Sequence, residues 1–465
     1  MVSSSEHTMT AAKPRTLFLV HRFDTKSLED SAGVVEVMRP MLASGLLGEH
    51  RLISLGRDTA DYISLIEARM ADILAQSGTD PVVIYGAGAH TRQFYPQLGK
   101  ARVVAIADRD ESLWGTTVLG HPVIAPAQIP AHARHVIISS RAYEEGIAKD
   151  LQVAFGSNVR IHPLYGRNPD GELRQQWEGL IRNTVADFRP DLLVHTPVHP
   201  HENLSASFFL DLRRLHPDMQ CLTLWWDYDE AAHQGSYLDY ERETLRWADL
   251  VIENSNVTRL ERMRQGISPY EQHQDTDKVI FHPTIFDPAL FYPEPDQAPL
   301  YDIALFGSSV GRRREWIDLL KARYGERFHH LGGVYEKDRP PLPIAEYAQA
   351  LRRTRICINT QTYPFRNQCK GKVREALACG TLLLEEDNPE TRCILCDGEG
   401  LRYFRNADEL FRLIDHYLAT PTDYQAVIAK GQQVWAEDYS PARWTQTILQ
   451  QLNLASPQTL GLRHV

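Results

Sequence analysis

Asp302-Ile303-Ala304-Leu305-Phe306-Gly307-Ser308-Ser309-Val310-Gly311-Arg312-Arg313-Arg314 decides how this chain folds. Residues 302–306 form a short apolar run that fits a buried strand. Gly307 stops the run, and a helical pattern opens at the arginines. A strand that turns through glycine into a helix is the repeating element of a parallel sheet covered by helices. The helix start offers unpaired N–H groups and the positive end of a dipole, which suits phosphate. Three arginines add planar, fork-shaped donors that match phosphate oxygens. A capped, solvated helix start has the same composition, so the stretch alone is incomplete evidence.

Downstream, Cys369-Lys370-Gly371-Lys372-Val373-Arg374-Glu375-Ala376-Leu377-Ala378-Cys379-Gly380 reads as a helix running into the buried strand Thr381-Leu382-Leu383-Leu384. Ala376, Ala378 and Gly380 allow close packing and a sharp helix exit. Lys372 suits a diphosphate and Glu375 suits ribose hydroxyls. An ordinary amphipathic helix with a surface Lys–Glu pair is the competing reading. Ile356 to Asn359 is a further strand, and helices are expected near 345–353, 372–379, 407–418, 422–436 and 440–452.

Upstream, strands at Leu17–Val20 and Arg51–Leu55 alternate with helical patterns over about 32–47 and 60–76. Pro81–Tyr85, Val103–Ala107, His135–Ser139 and Val159–Ile161 make a second alternating series, with a Pro-punctuated loop at 118–130. A third series holds Asp191–His195, Cys221–Trp226, Leu250–Glu253 and Val279–Phe281. Residues 165–171 read as a linker, and the five prolines in 283–300 mark another boundary.

The chain has 465 residues, 43% hydrophobic and 24% charged, with a formal net charge of -10. At roughly 100–200 residues per domain, two to four domains follow. The acidic balance argues against a general grip on nucleic acid. The polar start lacks the apolar core of a signal peptide, and no run approaches the ~18 apolar residues of a membrane span. A cytoplasmic protein is expected, with peripheral membrane contact left open. Cys393-Ile394-Leu395-Cys396 has metal-ligand spacing but lacks a second pair, so the six cysteines read as small buried hydrophobes and no metal is expected.

Several segments in a fixed order resemble the GT-B glycosyltransferases, closest to the group 1 C-terminal domain found in CgeB-like proteins. They are His282 to Phe291, Asp302 to Arg314, Tyr347 to Asn359, Val373 to Gly380, Gly400 to Phe404 and Asp408 to Leu410. The resemblance spans about 173–452 and implies a metal-independent, hexosyltransferase-type enzyme. A nucleotide-sugar donor would lie against Gly307, Ser308, Arg312, Arg313, Lys372 and Glu375, with Arg312 and Lys372 stabilising the leaving diphosphate. The acceptor would be a glycan, a lipid-linked saccharide or a protein, and no cofactor is required. Many retaining relatives carry Glu-x7-Glu, and its first glutamate falls here on Asn367. Residues 78–165 resemble the Rossmann-like domain that begins PglD-type sugar acetyltransferases.

Two strand ends supply candidates for acceptor chemistry. His199 lies in His195-Thr196-Pro197-Val198-His199-Pro200-His201, and Asp227 follows Trp225-Trp226, with Asp229 beyond it. Either His199 or Asp227 fits a general base, since α/β sites gather at strand ends. Gly86-Ala87-Gly88 follows a strand, with Asp108 ending the next, as in a nucleotide fingerprint whose third glycine is here Thr91. Gly86, Gly88 and Asp108 are therefore a possible second nucleotide site.

The expected fold class is α/β: two Rossmann-like domains of a GT-B glycosyltransferase plus an additional small Rossmann-like domain. The expected parts are tails at 1–14 and 453–465, a first part of the N-terminal domain at 15–77, the small module at 78–165, the acceptor-side domain at 172–295 and the donor domain at 296–452. Two other functions fit less of the sequence. One is an NAD(P)-dependent nucleotide-sugar-modifying enzyme working at Gly86–Asp108. The other is a non-catalytic GT-B-like binding protein.

Overall fold

Three sheets account for nearly all the apolar strand runs. The structure, a computed structural model, describes residues 12–22, 27–56, 59–166, 168–197, 204–226, 236–333, 340–363 and 367–455. The chain divides into two units, one of Met1–Ser54 with Asn183–Val465 and one of Leu55–Arg182.

The first sheet of the larger unit runs, in space, Val279–Phe281, Leu250–Glu253, Gln220–Trp225, Leu192–Thr196, Thr16–His21, His50–Leu55. Thr16–His21 and Gln220–Trp225 flank Leu192–Thr196, both parallel to it, and Val194 lies opposite Phe18 on one side and Leu222 on the other. Leu17 to Val20 are fully buried. At about 1.5–3 kcal/mol per buried aliphatic or aromatic side chain, such runs fix the strands in the interior. The strand order reverses between Thr16–His21 and Leu192–Thr196.

The second sheet runs Phe328–Leu331, Tyr301–Phe306, Thr354–Asn359, Leu382–Glu386, Leu401–Phe404, with every pairing parallel. Its order reverses between Tyr301–Phe306 and Thr354–Asn359. In open α/β sheets, ligands bind beyond the strand carboxyl ends at such a reversal. The helix Pro441–Gln451 returns to the first sheet, where Trp444, Ile448 and Leu449 join the core of Phe18, Val194 and Leu222. The Trp444 indole N–H donates to the Pro283 carbonyl at 3.1 Å, and the His282 ring stacks on it at 5.5 Å.

The smaller unit holds the third sheet, ordered Thr117–Val118, His121–Ile124, Val103–Ala107, Val82–Tyr85, His135–Ile138, Arg160–Pro163. Apart from the short first strand, it is the Rossmann order, with its reversal between Val82–Tyr85 and His135–Ile138. The α/β class, with two Rossmann-like sheets in one unit and a third in the other, is as expected.

The structure departs from the sequence expectation in four places. The loop expected at 118–130 contains a hairpin, Thr117–Val118 with His121–Ile124. Leu119 (φ +54°) and Gly120 (φ +81°) make its two-residue turn. Positive φ at both positions matches strand twist, but leucine gives no hint of it. Phe328–Leu331 is an edge strand whose His329-His330 pair breaks the apolar pattern. The helix Ile63–Ser77 falls in the smaller unit, where it packs on the helix Ala89–Leu98. Finally, Cys393 and Cys396 are exposed, against the expectation of buried hydrophobes; the other four cysteines are buried and all six are free. The helix Pro389–Arg392 ends just before Cys393, and between the two cysteines it is Leu395 that fills the core.

Candidate functional site

The strand-order reversal of the second sheet brings together the end of Tyr301–Phe306 and the end of Thr354–Asn359. Gly307 leaves the first strand at φ +111°, a conformation that strains any side chain. A Cβ there would lie 3.1 Å from the Arg313 guanidinium and 4.0 Å from the Lys372 ammonium. Two cationic heads thus converge above a residue with no side chain. Gly311 (φ +59°) presses against the second strand's exit: a Cβ would come well inside 3.0 Å of the Thr362 carbonyl oxygen. The Arg312 N–H donates to that same oxygen at 3.0 Å.

Arg313 opens the helix Arg313–Tyr324 and is buried. It donates to the carbonyls of Thr360 at 3.0 Å and Ser308 at 3.2 Å, and to the Thr360 hydroxyl at 3.3 Å. Burial pulls its pKa down, opposed by the nearby carboxylates of Glu385 and Glu386. The Lys370 ammonium joins it on the Thr360 carbonyl at 2.8 Å. Arg312 turns elsewhere and pairs with Glu386 at 3.0 Å. Of the two arginines, Arg313 therefore stands over Gly307, not the Arg312 expected to act with Lys372.

Lys372 and Glu375 lie on the helix Gly371–Cys379. The expected alternative, a solvated helix with a surface Lys–Glu pair, does not hold. Glu375 is buried and accepts from the Tyr347 hydroxyl. Lys372 sits 5.5 Å above the Tyr347 ring, and among the described residues it has no ion-pair partner. Arg374, also buried, fastens this helix to the proline-rich stretch 283–300 by donating to the Thr284 carbonyl, and it reaches the Cys369 sulfur at 3.2 Å.

The first sheet meets this edge directly. The Cys369 N–H donates to the Ser255 carbonyl at 2.8 Å, and the Asn256 side chain to the Asn367 carbonyl at 3.2 Å. Glu390 accepts from the Val257 and Thr258 N–H groups at 2.6 and 3.1 Å, capping the helix Val257–Arg264 across the two sheets. Behind the site, Glu385 is fully buried, accepts from Asn359, Asn388 and Thr391, and is pushed up to about 7 by burial. His199, Asp227 and Asp229 lie outside the described residues. His195, one residue before the strand end Thr196, is fully buried among Phe209 and Trp247, and burial drives its pKa well below 6.5.

In the smaller unit, Gly86 and Gly88 lie at the strand-order reversal, and the helix Ala89–Leu98 starts after them. The half-buried Asp108 carboxylate accepts from the Ala87 N–H at 2.7 Å and the Asp110 N–H at 2.9 Å. His90 bridges the Ser139 hydroxyl at 2.8 Å and the Tyr165 hydroxyl at 2.6 Å, and burial lowers its pKa to about 4. Among the described residues no group of three or more His, Cys, Asp or Glu side chains is placed to hold a metal ion. Nor is any helix among them long and apolar enough to cross a membrane.

Sequence reasoning missed Tyr347, Lys370, Arg374 and the Thr360/Thr362 pair as parts of this edge. Lys370 and Arg374 had a signal, since they sit in the same basic run as Lys372. Tyr347 opens one of the segments that carry the resemblance, but nothing along the chain links it to Lys372 and Glu375, because it comes from another helix.

Residues 312–450 match the family described as glycosyl transferase-like. That stretch contains Arg312, Arg313, Lys372 and Glu375. No curated protein is significantly similar in sequence to the chain. Among solved structures, the chain is similar to HepE of Anabaena in complex with UDP and glucose, at 11% identity and a TM-score of 0.46, over 80% of this chain and 99% of that one. It is also similar to sucrose-phosphate synthase of Thermosynechococcus elongatus, at 14% identity and 0.42 over 81% and 100%. A UDP-N-acetylglucosamine 2-epimerase gives 12% identity and 0.40 over 82% and 97%. Likeness this distant does not transfer a function.

Proposed function

We propose that the chain is a glycosyltransferase that moves a sugar from a nucleoside-diphosphate sugar to a hydroxyl on a glycan, a lipid-linked saccharide or a protein. One observation carries the reading: Arg313 and Lys372, both inside the stretch that matches a glycosyl transferase-like family, converge on Gly307 at the strand-order reversal. A diphosphate placed there receives two positive charges. They strengthen as the sugar–oxygen bond breaks and negative charge builds on the leaving phosphate, which is how fixed charges lower a barrier. Glu375, with one oxygen held by Tyr347, offers the other to ribose hydroxyls. The acceptor side falls to the first sheet, and Asp227 and His199, which follow two of its strands in sequence, are the candidate bases. In this reading the two lysine and arginine heads do the work without a metal, and no cofactor takes part.

The test is thermal stabilisation of wild type and Lys372→Ala by UDP, GDP, CDP, dTDP and NAD(P). One diphosphate should raise the melting temperature of wild type and leave Lys372→Ala unmoved. Stabilisation by NAD(P) alone, equal in both proteins, would overturn the reading and shift attention to Gly86.

A further inference from the structure

Lysine and glutamate three residues apart on a helix are neighbours and ordinarily attract each other. Lys372, half-buried, and Glu375, buried, have that spacing on the helix Gly371–Cys379, and partial removal from water strengthens the attraction. Tyr347, from the helix Ile344–Arg352, engages both. Its hydroxyl donates to Glu375 and its ring lies 5.5 Å from the Lys372 ammonium. Phe291 and Phe306 pack edge-on against the ring at 6.0 and 5.2 Å, so its plane is fixed. Burial and the neighbouring Glu375 push the phenol well above its usual value of 10. The hydroxyl therefore stays a donor and never adds a charge.

Resting on the donor-site reading, we infer that Tyr347 is a positioning residue that keeps Glu375 off Lys372, so that the ammonium remains available to a diphosphate. The ring gives the cation a weak partner that a phosphate displaces, in place of a carboxylate that it would have to outcompete. The same hydrogen bond sets which Glu375 oxygen is left for the ribose.

Inorganic pyrophosphate isolates the cationic half of the site, since it has no ribose. Calorimetric titration of wild type, Tyr347→Phe, Glu375→Gln and Tyr347→Phe/Glu375→Gln tests the inference. Tyr347→Phe keeps the ring and frees the carboxylate, so pyrophosphate should bind roughly tenfold more weakly. The double variant should recover wild-type affinity, because a neutral amide does not compete for Lys372. Wild-type affinity in Tyr347→Phe overturns the inference and leaves the donor site standing. Equal weakness in the single and double variants makes Tyr347 merely structural and also overturns it. If Tyr347→Phe does not fold, Glu375→Gln decides: affinity at or above wild type supports the inference, and a loss overturns it. If wild type binds neither pyrophosphate nor any nucleoside diphosphate, the donor-site reading falls and the inference falls with it.

Discussion

Gly311→Ala should disable the donor edge without touching any charged side chain. Two costs act at this position. Holding alanine at φ +59° costs about 1 kcal/mol. The new methyl also meets the Thr362 carbonyl oxygen inside 3.0 Å and the Tyr363 ring at 3.1 and 3.2 Å. The nearest obstacle is backbone, so relief requires moving one chain segment against another by more than about 0.5 Å, an overpacking cost of about 1–3 kcal/mol. Together the change should destabilise by about 2–4 kcal/mol. For a unit well above ~250 residues, roughly 1–2 °C per kcal/mol puts the fall in melting temperature at about 2–8 °C. Separating the segments also breaks the Arg312 N–H to Thr362 bond and disturbs the Thr360 carbonyl that anchors Arg313. Nucleoside-diphosphate binding should therefore weaken at least tenfold, about 1.4 kcal/mol. Gly266→Ala is the control, because it has a similar φ of +62° but nothing within 4 Å of the new Cβ. It should show the backbone cost alone and normal nucleotide binding. Calorimetric melting and titration with the stabilising diphosphate read both effects. If Gly311→Ala melts with Gly266→Ala and binds as wild type, the two strand exits are not wedged together as described.

Glu385 in the larger unit and two buried histidines in the smaller one should contribute to stability with opposite pH dependence. Glu385 has a folded value of about 7, above its usual 4.5, so the folded state holds a proton that the unfolded state has released. Its contribution is full below pH 4.5 and is lost as pH rises through 7. Glu385→Gln should flatten that fall in urea denaturation between pH 5 and 7.5, and an unchanged slope would show that Glu385 is ionised when folded. His90 and His162 are instead lowered by burial to about 4, so unfolding takes up protons below pH 6.5. Amide hydrogen exchange, corrected for intrinsic rates, should show residues 82–163 losing protection as pH falls from 6.5 to 4; constant protection would refute this. Glu390→Ala strips the acceptor from the Val257 and Thr258 N–H groups and should destabilise by about 1–3 kcal/mol. A loss under 0.5 kcal/mol in denaturant midpoint, a negligible surface-type change, would mean that water replaces the cap.

Local patterns were enough for elements whose signal is continuous in the chain. Tyr301–Phe306, Leu382–Glu386 and the helices Ala407–Ala419, Pro421–Val434 and Pro441–Gln451 lie where apolar runs and 3.6-residue periodicity put them. The hairpin at Thr117–Ile124 and the strand Phe328–Leu331 were illegible for the opposite reason. Their conformations are imposed by neighbouring strands on residues that do not prefer them. The basic character of the donor edge was legible too, because Arg312, Arg313 and Lys372 follow glycine-marked turns.

The sequence by itself determined the α/β class, the alternation that requires parallel sheets, and the glycines at 307 and 311 beside a cluster of positive charge. Only the tertiary structure decided that Arg313, not Arg312, stands over Gly307, that Asp108 accepts from backbone N–H groups, and that Tyr347 intervenes between Lys372 and Glu375. The physical reason is one of range. Apolar periodicity and turn chemistry act within a few residues and are written along the chain. The direction of a charged side chain depends on which distant carbonyl, carboxylate or ring the fold places beside it.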